Sequence, residues 1–136
     1  MIGRSKYKAN KRRRGAAIAE MALTLPFLVT FVLGSIELCS MVFLRQALVV
    51  TAYEGARTSI RDEATTDDAR ARAQQVLAAR NVADATIVFD PVNIEGLDRG
   101  TVLSVTVSAP ADQYSIVPIL NISGRTLTAT TTMVKE

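Results

Sequence analysis

Apolar residues dominate the chain from Met21 to Leu44, MALTLPFLVTFVLGSIELCSMVFL, and the one charge in that run is Glu37. At about 1.5 Å per residue a helix of this length spans roughly 36 Å, enough to cross a hydrocarbon core of about 30 Å. A core helix of a soluble domain is the alternative, but the rest of the chain is too short to wrap such a segment on all sides. Helical spacing continues past it: Val49, Ala52, Tyr53, Ala56 and Ile60 recur on one side, with Arg45, Gln46, Glu54, Arg57 and Arg61 on others. The pattern predicts one helix from about Ala16 to about Arg61, a rod of roughly 70 Å. Pro26 and Gly34 are its candidate bends. Gly55 weakens it by about 1 kcal/mol relative to alanine, which suits a close helix–helix or helix–sheet contact.

A second helix fits TTDDARARAQQVLAARN, with Thr66 or Asp67 as cap and Ala69, Ala73, Val76 and Leu77 as an apolar stripe. The period then changes to two. ATIVFD, TVLSVTVSA and RTLTATTTMV have strand composition. Leu103, Val105, Val107 and Ala109 alternate with Ser104, Thr106 and Ser108, and Leu127, Ala129, Thr131 and Met133 alternate with threonines. Asp90-Pro91 and Asp98-Arg99-Gly100 signal turns, and PADQYSIVPILNISG links the last two strands. The expected fold class is α+β: a long N-terminal transmembrane helix extending into a small extracytoplasmic domain. That domain holds a second helix and an antiparallel sheet of about three strands.

Charge sharpens the division. Of 16 basic residues, seven precede Gly15, and no acid precedes Glu20. From Ala16 onward nine basic residues face 13 acidic ones, a net charge of −4. A nucleic-acid binder keeps its positive charge on the folded domain; here it belongs to a tail beside a membrane segment. The tail therefore reads as an orientation signal, with the N-terminus cytoplasmic and the C-terminal part outside. Attraction to anionic lipid is a compatible second role.

Candidate chemistry is sparse. The chain has no histidine, and its one cysteine, Cys39, lies in the apolar run as a small filler. Asp67/Asp68 and Glu95/Asp98 suit a helix first turn and a turn better than a catalytic pair or a metal site. No phosphate loop or catalytic triad is visible. The reading is a non-enzyme without cofactor, metal or nucleic acid.

The N-terminus, KRRRGAAIAEMALTLPFLV, bears the most specific signal. The apolar run exceeds the 7–15 residues of a secretory h-region. Nor does a small-x-small site close it, and Leu38 ahead of Cys39 spoils a lipoprotein site. A plain anchor explains the charges but not Gly15 with Glu20. The pattern of a basic leader, Gly15, Ala16 to Ala19, Glu20 and a long apolar helix resembles the class III signal of type IV pilins and pseudopilins. That resemblance implies cleavage by a prepilin peptidase between Gly15 and Ala16. Glycine, lacking a side chain, suits an extended pose in a narrow cleft. Glu20 would then pair with the new amine of Ala16, in its own chain or a neighbour's, as an assembly register.

Residues 13–61 further resemble TadE-like proteins. Arg14, Gly15, Glu20, Ala22, Pro26, Gly34 and Glu37 follow that family's opening pattern, AYEGAR, Ala52 to Arg57, is similar to its Glu-Gly-Ala-Arg motif, and LTATTTMVKE resembles its terminal strand. The resemblance implies an inner-membrane, single-pass minor pilin or pseudopilin of the tight-adherence (Flp) pilus or a related secretion machinery, partnered by prepilin peptidase, other pilins and inner-membrane assembly proteins. The expected organisation is a basic leader at 1–15, the helix and its extension at 16–61, and a small domain at 62–136. Glu37, Gly55 and Arg57 are possible helix-partner contacts. Glu37 reads either as a headgroup-wetted acid near the outer interface or as an ion pair with Arg45 or a partner's basic residue. An uncleaved anchor whose outer domain binds another envelope protein is the alternative function.

Overall fold

A computed structural model describes residues 5–115 and 124–135, with the backbone alone for 5–14. The side chains of the basic leader and the linker residues 116–123 therefore lie outside the described residues. The elements run α1 (Ser5–Ser59), α2 (Thr66–Ala79), β1 (Thr86–Asp90), β2 (Val102–Pro110), a 3-10 turn (Asp112–Tyr114) and β3 (Thr126–Val134). Both helices, the three strands and the α+β class are as the hydrophobic pattern predicts. Helix α1 is longer than that pattern suggests: it starts at Ser5 and continues through Gly15, Pro26 and Gly34 without interruption.

The sheet is antiparallel in the order β1-β2-β3. Leu103, Val105, Val107 and Ala109 of β2 face the helices and are buried, and Ala129 of β3 joins them. On the outer face the register sets Ser104 opposite Thr132 and Thr106 opposite Thr130. Their hydroxyls bond across the strands at 3.1 and 3.0 Å. Because side chains alternate with a period of two, the covered face fixes this register: a one-residue slip would bury the hydroxyls and expose the valines.

Under the sheet lies the C-terminal part of α1. Its buried seam is Leu44, Ala47, Leu48, Thr51, Ala52, Gly55, Ala56 and Ser59. This corrects the stripe predicted from apolarity, since Val49 and Tyr53 are 47% and 48% exposed. Beyond Leu48 the seam is built of small side chains, which let the helix axis approach the sheet, while Val49 and Tyr53 stay outside. Thr51 and Ser59 are tolerated there because each hydroxyl donates to a carbonyl one turn back, Ala47 and Gly55, at 2.8 Å.

Helix α2 lies alongside, burying Ala69, Ala73 and Leu77. Its cap is Thr65, one position before the predicted Thr66. Thr65 and Asp68 form a capping box: the Asp68 N–H donates to Thr65 Oγ1 at 3.1 Å, and the Thr65 hydroxyl and N–H donate to Asp68 Oδ2 at 2.7 and 3.3 Å. Thr66 instead accepts the Ile94 N–H at 3.2 Å, tying the β1–β2 connection to α2. The Thr65 hydroxyl bond, then its backbone N–H, hold the Asp68 carboxyl below its ordinary range. A folded-state value below the unfolded one stabilises above the unfolded range, about pH 4, and the gain is lost as pH falls through the folded value. Thr65→Ala is expected to cost about 1 kcal/mol near neutral pH. Thermal melts of the full chain in detergent should show the gap from wild type narrowing below about pH 4.

Candidate functional site

Helix α1 changes character along its length, and the candidate residues sit at the changes. From Gly15 to Val32 every residue is exposed, including Ile18, Leu23, Phe27 and Phe31. An apolar helix exposed on all sides is unstable in water and suited to lipid. Its hydroxyl side chains are satisfied within the helix. Thr24, Thr30 and Ser35 donate to the carbonyls of Met21, Pro26 and Phe31 at 3.2, 2.8 and 2.8 Å, which suits hydrocarbon where no water is available. This is the one described helix long and apolar enough to cross a membrane.

At the N-terminal end of this stretch Gly15, Ala16 and Glu20 are all exposed. Ala16 and Glu20 are four residues apart, so they share a helix face at about one turn's separation. A Cβ added at Gly15 would meet no atom within 4 Å. Nothing in the described chain's packing requires a glycine there.

Gly55 is the opposite case. A Cβ there would lie 3.4 Å from Val105 Cγ1 and 3.6 Å from Ala73 Cβ. Gly55 thus sits where α1, α2 and β2 meet, inside its own chain. A methyl just fits, whereas a branched side chain does not. Gly55→Ala should leave the melting temperature unchanged or raise it, because helix propensity gains up to about 1 kcal/mol. Gly55→Val should lower stability by roughly 1–3 kcal/mol through overpacking. Denaturant unfolding of the two variants checks both signs.

Glu37 marks the second change, where α1 passes from exposed to packed. It is fully buried at 0% exposure, so the headgroup-wetted reading is corrected. The Ser115 hydroxyl, just after the 3-10 turn, donates to Glu37 Oε1. The carboxylate is therefore engaged by its own chain across 78 positions of sequence. Arg45, the partner considered from sequence, is exposed. Ser115 was missed by sequence reasoning, and no local pattern could have found it.

At the far end, Glu54 Oε2 accepts from Arg72 Nε at 3.2 Å and Arg72 Nη2 at 3.1 Å. This pair links α1 to α2. Arg57, one turn along from Glu54, is exposed beside it. Among the described residues no group of three or more His, Cys, Asp or Glu side chains could hold a metal.

Residues 15–57 match the sequence model of the family described as TadE-like protein. No curated protein and no solved structure matches the chain. The matched segment begins at Gly15, runs through Glu20 and Glu37, and ends at Arg57. It covers the exposed apolar stretch and nearly all of the buried seam. Over this long helix the chain is similar to the TadE-like family.

Proposed function

We propose that this chain is a minor pilin or pseudopilin of TadE type, a non-enzymatic membrane subunit for assembly of a Flp-type pilus or a related secretion machinery. The observation that carries the reading is the family match over 15–57, falling on a helix that is apolar and exposed on every side before it enters a small domain. Such a helix anchors the subunit in the inner membrane as a single pass. With the seven leader charges cytoplasmic, the domain lies outside. Prepilin peptidase cuts between Gly15 and Ala16. Glu20, one turn from the new amine, then sets register against that amine in its own chain or a neighbour's.

Deleting the chain's gene should abolish surface pili, and restoring the wild-type chain should bring them back. A Glu20→Ala chain should be processed yet fail to restore them. Normal piliation without the chain would exclude this function.

One observation favours the second reading, an uncleaved anchor or adaptor. The helix runs unbroken through Gly15, so the leader is continuous with the membrane segment and must unwind locally to be cut.

A further inference from the structure

Arg57, Arg61 and Arg72 border one open notch of about 380 Å³, with Glu54 and Thr58 completing its walls. The arginines come from the last turn of α1, the turn beyond it and α2. Only Arg72 is neutralised, by its ion pair with Glu54. The guanidiniums of Arg57 and Arg61 make no hydrogen bond or ion pair among the described residues. The carbonyl end of α1 accounts for one cation in its last turn, not for two further arginines on the same hollow. Asp62 stands on an adjoining hollow that shares Arg57 and Arg61. Even counting it, positive charge prevails at this place, in a part of the chain whose net charge is −4.

We propose that this notch is an oxyanion site that receives a side-chain carboxylate from another protein. Forked guanidinium donors match a carboxylate with two parallel hydrogen bonds. The notch is open on one side, so a bound group can remain attached to a larger molecule. Arg57 lies 20 residues beyond Glu37, about 30 Å along the helix, which places it out of reach of headgroups at the level where α1 enters the domain. The inference does not depend on a pilus role.

The test uses the full chain in detergent micelles, with sodium acetate replacing chloride at constant ionic strength. The Nε–H resonances of Arg57 and Arg61 should shift saturably, and the response should vanish in an Arg57→Gln/Arg61→Gln chain that melts at the wild-type temperature. In native membranes, a photo-crosslinking amino acid at Thr58 should give a protein adduct that maps to an Asp- or Glu-containing peptide and is lost in the double variant. No saturable response to acetate, or the same response in the double variant, would overturn the site. Acetate saturation without an adduct, or an adduct indifferent to the double variant, would overturn the protein-borne source.

Discussion

Chains isolated from membranes with an active prepilin peptidase should begin at Ala16, and chains from a strain lacking the enzyme should retain the leader. The effect is close to all-or-none and needs no activity assay. Removing residues 1–15 takes away seven basic residues and no acid, so the formal charge moves from +3 to −4. Isoelectric focusing should therefore move the protein from the basic to the acidic side of neutrality, and intact mass should place the cut after Gly15. Gly15→Leu should hold the chain in its basic, uncleaved form. A Cβ at position 15 meets no atom of the described chain within 4 Å, and leucine is a better helix former than glycine by somewhat under 1 kcal/mol. Loss of processing in that variant, with an unchanged melting temperature, is then an effect on the peptidase rather than on folding. An intact N-terminus in both strains would leave the anchor reading, and Glu20 would need a role other than pairing with a new amine.

The strands and α2 were legible in the sequence because each has one covered face. In β2 the alternation of Leu103, Val105 and Val107 with Ser104, Thr106 and Ser108 leaves one register that buries the apolar set. Helix α1 carries no comparable pattern. Its first half is exposed on all sides, and apolar residues occur all round it. Its second half is selected by closeness to the sheet, which favours Ala47, Thr51, Gly55 and Ser59 over Val49 and Tyr53. Apolarity ranks those residues the wrong way round. Glu20 stands out as a candidate by its spacing from Gly15, whereas the partners of Glu37 and Glu54 are set by tertiary folding, 78 and 18 positions away.

Ser115→Ala should destabilise the domain by about 1.5–3 kcal/mol, the usual worth of a hydrogen bond to a charged group. For a domain of this size that lowers the melting temperature by roughly 6–24 °C. The size follows from where Glu37 lies. It sits 17 residues past Glu20, about 25 Å along α1, at the level where the helix leaves its fully exposed stretch and enters the domain. There the carboxylate is shut off from solvent, and a buried acid keeps its place only while donors replace the water it has lost. Ser115 is one such donor, and it comes from the far end of the chain. Through it the domain is clasped to α1 at the level where the helix's fully exposed stretch ends. Glu37→Leu tests the same point from the other side. Replacing a buried charge by an apolar group of similar volume is often neutral or stabilising, so this variant should melt within a few degrees of wild type or above it. Hydrogen exchange around the 3-10 turn should nevertheless rise in both variants, because each lacks the clasp. If Ser115→Ala melts at the wild-type temperature and leaves exchange at Asp112–Tyr114 unchanged, the hydroxyl is incidental and Glu37 is held by other contacts.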